Sequence, residues 1–108
     1  MSSPPWIIVV PFLKADGMAL FPFILVRNEQ LKHDEVLIRH EQIHLQQEAE
    51  LLVIPFYILY LLIYLYYRIR LQDHHKAYYA ICFEKEAYAF EHDAGYLNKR
   101  KLWAWISI

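Results

Sequence analysis

Residues that interrupt helices are confined to one part of this 108-residue chain. All five prolines lie within the first 55 residues, and residues 56–94 contain neither proline nor glycine. Proline lacks a backbone N–H and glycine loses the most backbone entropy on folding, so both disfavour the interior of a helix. The sequence therefore predicts strands and turns near the N-terminus, followed by helices.

Two runs of β-branched and aromatic residues predict strands within residues 1–27. The runs are Trp6–Val10 and Leu20–Val26, and the Lys-Ala-Asp-Gly sequence at 14–17 between them is a turn signal. We therefore expect a β-hairpin. Pro22 lies inside the second run, and a residue without an N–H is tolerated at the edge of a sheet. The second strand is accordingly expected to be an edge strand.

Helix signals follow the strands. Asp34 is a favourable N-cap, Glu35 places negative charge in the first turn, and Pro55 is expected to interrupt the helical pattern. Gly95 would follow the last turn of a later helix. The predicted segments are a helix at 34–53, a helix at 56–72, a helix at 83–95 and a tail at 98–108. Together they predict one α+β domain over 1–108, with a small N-terminal β-hairpin or edge strand packed on about three helices.

The composition excludes several classes of protein. The chain is 57% hydrophobic and 17% aromatic, which is incompatible with a disordered protein. A net charge of −1 leaves no basic surface for nucleic acid. The single cysteine, Cys82, cannot form an internal disulfide, so folding does not require an oxidising compartment. Met1–Pro5 lacks a cationic segment, so we expect no cleavable signal peptide and a cytoplasmic or membrane-associated protein.

The motif with the clearest chemistry is His-Glu-Gln-Ile-His at residues 40–44. Residues four apart share one face of a helix, so the imidazoles of His40 and His44 can converge on one Zn²⁺ ion. Glu41, next to the first ligand, can reach a water molecule on the metal without binding the metal itself. The motif therefore predicts a zinc site in which Glu41 is the general base of a hydrolytic reaction.

A catalytic zinc site needs a third protein ligand. The residues after His44 lack the spacing of a third histidine, so a carboxylate from another helix is expected. The segment Phe83–Glu91 offers two candidates, Glu84 and Glu86, in an apolar frame. Glu48 is a weaker candidate, because one straight helix cannot easily place three ligands around a single ion.

These motifs resemble those of the gluzincin metallopeptidases, in particular the minimal gluzincins and the catalytic cores of their integral-membrane relatives. The resemblance rests on Phe21–Val26 as an upstream edge strand, on the motif at 40–44 and on Phe83–Tyr88. It implies a zincin-like minimal core and a peptide or protein substrate. It also implies that Glu86, which is followed directly by Ala87, is the third zinc ligand.

One position departs from the gluzincin pattern. Many members carry an aspartate four residues after the ligand glutamate, where it orients a metal-bound histidine, and this chain has Phe90 there. Glu91, Glu48 or a backbone carbonyl must then supply that support. Other polar side chains are candidates for stabilising an oxyanion or polarising the scissile carbonyl: His74, His75, His92, Tyr78, Tyr79, Tyr88 and Tyr96.

The run Leu51–Tyr67 contains 17 residues without a charge, close to the lower limit for a transmembrane helix. A single crossing would place His44 and Glu86 on opposite sides of the bilayer, although they are expected to share one zinc ion. The tyrosines of the run form one stripe that needs protein partners: Tyr57, Tyr60, Tyr64 and Tyr67. We therefore expect a buried or interfacial helix and contact with a membrane surface, aided by the Trp-rich tail at 102–108.

Two alternatives to an active hydrolase remain at this point. The chain could be a non-catalytic or autoinhibited zinc-binding protein whose apolar tail occupies the cleft. It could also be a small membrane-associated interaction protein in which the histidine pair is incidental.

Overall fold

A computed structural model describes residues 6–107 of the chain. Residues 1–5 and Ile108, which belong to the predicted strand region and the predicted tail, lie outside the described residues. The fold is mixed α+β, as predicted, with a three-stranded sheet near the N-terminus and five α-helices within residues 6–107. The elements are β1 (Ile7–Val9), β2 (Gly17–Leu20), β3 (Phe23–Val26), α1 (Glu35–Leu51), α2 (Val53–Leu71), α3 (His74–Ala80), α4 (Cys82–Phe90) and α5 (Tyr96–Lys99), with 3₁₀ turns at Gln30–His33 and Ala104–Ser107.

The sheet has the order β1-β3-β2, which corrects two predictions. A hairpin does form, but it joins β2 and β3, while β1 pairs with β3 in parallel. Pro22 lies in the turn between β2 and β3, where its missing N–H breaks no ladder bond. The central strand is therefore β3, and β2 rather than β3 is an edge strand. The residues 14–17 that signalled a turn instead lead directly into β2.

The sheet supports the helix that carries the His-Glu-x-x-His motif. Ile7, Ile24 and Val26 form a buried apolar cluster, and Leu37 and Leu45 of α1 pack against it. Burying such side chains contributes about 1.5–3 kcal/mol each, so this contact fixes the position of α1 on the sheet. The N-cap prediction is confirmed, because the Asp34 carboxylate accepts a hydrogen bond of 3.1 Å from the Leu37 N–H.

The interruption between α1 and α2 lies upstream of its expected position. Leu52 separates the helices with φ 60° and ψ 134°, and Pro55 lies in the first turn of α2. The ring of Pro55 would collide with the carbonyl of Leu51 if one helix continued through both residues. The chain therefore breaks before the proline, and the first turn of a helix tolerates a residue without an N–H.

The helix α2 is half-buried on one face and exposed on the other. The predicted tyrosine stripe faces protein, and Phe56 beside it is buried. The opposite face exposes large apolar side chains, so of the two expected alternatives, a buried or an interfacial helix, full burial does not occur: Ile54, Ile58, Leu61, Leu62, Leu65 and Ile69. Within residues 6–107, α2 is the one helix whose length and composition would allow it to cross a membrane.

The chain after α2 is more helical and more divided than predicted. His74 and His75, expected in a loop, begin α3, because the Asp73 carboxylate caps that helix at the Lys76 N–H. The helix α4 ends at Phe90 rather than near Gly95. Gly95 instead precedes α5, with φ −95°, and its N–H donates to the Asp93 side chain. This local hydrogen bond favours a turn over continuation of α4.

The tail at 98–108 has two kinds of surface. Trp105 packs on the buried ring of Phe83, with ring centroids 4.8 Å apart. Leu102 and Ile106 are 76% and 66% exposed. The segment therefore closes one side of the apolar core around α2 and α4, and it presents other apolar groups outward.

Candidate metal centre

Three buried side chains from two helices meet at one point. His40 and His44 project from α1, and Glu84 projects from α4. Glu84 Oε1 lies 3.2 Å from His40 Nε2 and 3.0 Å from His44 Nε2, and the two Nε2 atoms are 3.3 Å apart. The third residue is a glutamate of the predicted segment, but not the one preferred from the sequence.

The distances between these atoms fit a bound metal ion. Ligand atoms about 2.0–2.1 Å from zinc in a tetrahedral site are separated from one another by roughly 3.3 Å. Two imidazole nitrogens and one carboxylate oxygen are also donors that divalent transition metals accept. The group of His40, His44 and Glu84 could therefore hold a metal ion.

Hydrogen bonds to the other ring nitrogens indicate which atoms carry free lone pairs. His40 Nδ1 lies 3.2 Å from the Glu91 carboxylate, and His44 Nδ1 lies 2.8 Å from the Gln47 side-chain oxygen. Both partners are acceptors, so we assign a proton to each Nδ1. Both Nε2 lone pairs then face the Glu84 oxygen. Three acceptors at this separation need a positive charge among them, either a proton on one of the Nε2 atoms or a metal ion.

The electrostatics of the group agree with this requirement. Burial lowers the pKa of His44, but the adjacent Glu84 carboxylate outweighs burial and raises it to about 9. Burial raises the pKa of Glu84, but the charge of His44 and the hydrogen bonds from both histidines hold it well below its usual range. The site thus favours an ionised carboxylate together with a positive charge, from a proton or from a metal ion.

The preference for Glu86 as third ligand is corrected to Glu84. Residues two apart on a helix point about 200° apart, so the two glutamates of α4 cannot both reach the point between His40 and His44. Glu86 is fully buried on the other side, where it accepts hydrogen bonds from Tyr96 and Arg100. Glu48 is also outside the ligand group, because its carboxylate accepts the N–H of Phe21 at 2.9 Å.

Two supporting residues are new and one was foreseen. Glu91 orients His40, one residue after the position where the gluzincin pattern has aspartate. Gln47 orients His44, and the Tyr60 hydroxyl donates to Glu84 Oε2 at 2.7 Å, which leaves Oε1 for the ion. The spacing of the tyrosines signalled that Tyr60 faces protein. Gln47 lies three residues after His44 and so shares its face of the helix, whereas Gln46 points about 200° away, and this spacing is the signal that could have identified Gln47.

Glu41 lies directly under the edge strand. A Cβ atom at Gly17 of β2 would be 3.3 Å from Glu41 Oε2 and 3.1 Å from Leu37 Cδ1. Glycine is therefore the residue that lets β2 pass this close to the carboxylate. Burial raises the pKa of Glu41, while the charges of His44 and His40 partly oppose that rise.

Two cavities meet at Glu41. One, of about 300 Å³, is bounded by His44, Glu84 and aromatic side chains of α2. The other, of about 330 Å³, is bounded by His40 and Glu91. Gly17, Glu41 and Tyr78 border both cavities. The metal position is thus open to a groove that runs beneath β2 on both sides of Glu41.

Of the side chains predicted to stabilise an oxyanion or polarise a carbonyl, the fold places only some beside the groove. Tyr78 borders both cavities, and its pKa is raised because it is buried near Glu84, so the phenol stays protonated. Tyr88 borders one cavity, with its ring 4.5 Å from that of His40. The other candidates lie away from the groove or at the surface: Tyr96, Tyr79, His74, His75 and His92.

Comparison of the chain with protein-family models, with curated proteins and with solved structures found no match. The function must therefore be inferred from the geometry of the site itself. The resemblance to gluzincins stays a prediction.

The choice between the two glutamates of α4 can be tested by metal content. The Glu84→Gln variant should lose stoichiometric zinc and bind zinc about 100-fold or more weakly, because a ligand matters more than a residue that supports one. The isosteric Glu86→Gln variant should still copurify with zinc. Elemental analysis and chelator competition measure both. If Glu86→Gln lost zinc while Glu84→Gln kept it, the assignment of Glu84 as the third ligand would be contradicted.

Glu86 gives the stability a predictable dependence on pH. Burial raises its pKa, but donors from Arg100, Tyr96 and Gln47 lower it below the usual value. Its stabilising contribution is therefore present above the unfolded pKa of about 4.3 and is lost as pH falls through the lower folded value. The free energy of unfolding of wild type should exceed that of Glu86→Gln at pH 7, and the difference should shrink below about pH 4.

Denaturant titrations over this pH range measure the difference. Glu35→Gln, which removes an exposed carboxylate from the first turn of α1, is the control. At pH 7 its free energy of unfolding should differ from that of wild type by less than the free energy of unfolding of Glu86→Gln does. A gap between wild type and Glu86→Gln that stays constant with pH would contradict the ionised state assigned to Glu86.

Proposed function

We propose that the chain is a zinc-dependent hydrolase, a gluzincin-like metallopeptidase in which Glu41 is the general base. The observation that carries this proposal is the position of Glu41. Its carboxylate borders the same cavity as His44 and Glu84, yet it is not in the ligand group, and no hydrogen bond occupies it among residues 6–107. A carboxylate without other partners is available to accept a proton from water.

Each residue of the site then has a distinct role. His40, His44 and Glu84 hold the ion, and a zinc ion bound there polarises a carbonyl and makes water more acidic. Glu41 accepts the proton of the attacking water and passes it to the leaving amine. Tyr78, which borders the groove on both sides of Glu41, donates a hydrogen bond to the carbonyl oxygen as negative charge develops there.

The edge strand supports an extended substrate. The Arg27 N–H donates to the Asp16 carbonyl at 3.0 Å, so these two residues are a hydrogen-bonded pair at the end of the antiparallel ladder. Hydrogen-bonded pairs alternate along such a ladder, so the N–H and C=O groups of Gly17 and Ala19 point away from β3. The Ala19 carbonyl is occupied by the Tyr57 hydroxyl at 2.7 Å. The N–H and C=O of Gly17 and the N–H of Ala19 are then the groups that would pair with a peptide main chain.

The groove favours a chain over a compact small molecule. The two cavities share Gly17, Glu41 and Tyr78 in their linings, and His44 and Glu84 line one while His40 lines the other, so a substrate that fills both must pass the metal position in an extended conformation. A peptide bond held at the centre of such a chain would be the group that is cleaved.

The decisive variant is Glu41→Gln. It should bind zinc within a few-fold of wild type but hydrolyse a quenched-fluorescent peptide library about 100- to 10,000-fold more slowly, the usual range for loss of a general base. Glu35→Gln, at the exposed start of α1, is the matched control and should behave as wild type. Peptide hydrolysis by Glu41→Gln at the wild-type rate would refute the mechanism.

A membrane-associated role is the second candidate, and the exposed face of α2 favours it. Six large apolar side chains line this face over residues 54–69, with exposed fractions from 45% to 74%. Arg68 and Arg70 near its end provide positive charge for anionic headgroups. This role is compatible with hydrolysis, and it also describes an interaction protein in which the metal site is incidental.

Vesicle binding tests this surface. Wild type should cosediment with vesicles that contain anionic phospholipid, and Leu62→Glu should reduce the bound fraction several-fold, because it places a charge in the centre of the apolar face. Phe12→Glu, at an 87% exposed site away from α2, is the control and should bind as wild type does. Wild-type protein that stays in the supernatant would exclude this role.

A further inference from the structure

A second buried polar cluster lies behind the metal position and has no part in the proposed chemistry. It consists of Glu86 from α4, Glu50 from α1 and Arg100 from the segment after α5. The Arg100 side chain is 4% exposed, and its guanidinium donates to Glu50 through two hydrogen bonds of 3.0 Å each. Burying two carboxylates and a guanidinium is costly unless every charge is paired, so the arrangement requires an explanation.

The cluster is connected to the metal site through Gln47. This side chain is fully buried, and its Nε2 donates to the Phe83 carbonyl at 3.0 Å and to Glu86 Oε1 at 2.9 Å. A carbonyl and an ionised carboxylate only accept hydrogen bonds, so they fix the orientation of the amide. Gln47 Oε1 must then face His44, where it accepts from Nδ1 at 2.8 Å.

The ionised state of Glu86 is fixed in turn by its own donors. Glu86 Oε2 accepts from the Tyr96 hydroxyl at 2.6 Å and from Arg100 Nε at 2.5 Å, and Oε1 accepts from Arg100 Nη2 at 3.0 Å. Every hydrogen bond from Arg100 through Glu86 and Gln47 to His44 therefore has one possible direction.

We propose that Gln47, oriented by Glu86 and Arg100, is a positioning residue that keeps the proton of His44 on Nδ1 and directs the Nε2 lone pair at the metal position. The inference rests on the metal site of the proposed function. It assigns Glu86, expected from the sequence to bind zinc, an indirect role in the affinity for zinc. It also couples that affinity to the segment after α5, which supplies Arg100.

The first test removes the acceptor. Gln47→Leu should bind zinc about 10- to 100-fold more weakly, the usual effect of losing a group that orients a ligand. Gln46→Leu makes the same change at the neighbouring exposed position of α1 and should retain wild-type affinity. Competition with a chromogenic chelator measures zinc affinity, and denaturation of the metal-free proteins reports separately on the fold.

A charge-conserving exchange separates positioning from packing. Gln47→Glu alone sets two carboxylates side by side and should weaken zinc binding. In the double variant Gln47→Glu/Glu86→Gln, the carboxylate at position 47 accepts from His44 Nδ1, and the amide at position 86 donates to that carboxylate. This variant should therefore recover most of the affinity for zinc. In ¹⁵N spectra of the zinc-loaded protein, the Nδ1 proton of His44 should be visible in wild type and in the double variant, and lost by exchange in Gln47→Leu.

The outcomes distinguish this inference from the proposal beneath it. Wild-type protein that binds no zinc would overturn the metal site and the inference together. Wild type that binds zinc, with Gln47→Leu equal to Gln46→Leu, would overturn the positioning role alone. A double variant no better than Gln47→Glu would overturn it too, because the direction of the hydrogen bonds would then be irrelevant.

Discussion

The approach of three hydrogen-bond acceptors between α1 and α4 is the constraint on which the rest of the structure depends. His40, His44 and Glu84 are buried, and their lone pairs point at one another across distances of 3.0–3.3 Å. Such an arrangement is unfavourable without a positive charge, which a proton on His44 or a metal ion would supply, and a metal ion that binds only the folded chain would add its binding free energy to stability. In a chain this short, whose apolar core is divided into small clusters, that contribution would be substantial.

The polar groups around this point are arranged so that nearly every buried charge has a partner. Glu84 accepts from Tyr60, Glu48 accepts from Phe21, and Glu86 accepts from Arg100. Glu41 differs from these three carboxylates, because it is buried beside the cavities and, among residues 6–107, no such donor holds it. A buried carboxylate without partners is costly, and sites that bear this cost are usually functional. The contrast among the four acids is the strongest internal argument for the role of Glu41.

The sequence predicted the parts of this structure that depend on local spacing. The Asp34 cap, the helix after it and the shared face of His40 and His44 follow from short-range rules, and the structure bears them out. The choice between Glu84 and Glu86 depends on how α4 rotates against α1, and spacing does not encode that rotation. Strand order was missed for a similar reason: the pairing of β1 with β3 is a long-range contact, and Pro22 marked a turn rather than an edge.

The position of Gly17 links the register of the sheet to the site. A Cβ atom there would lie 3.1 Å from Leu37 Cδ1 and 3.3 Å from Glu41 Oε2, so both side chains would have to shift by a few tenths of an ångström. The neighbours of Gly17 in the sequence are Asp16 and Met18, which carry larger side chains. A slip of β2 by one residue would therefore bring a carboxylate or a thioether over Glu41. Only one register of β2 against β3 therefore leaves the floor of the groove open. Selection for an open site and selection for a single folded topology then act on the same glycine.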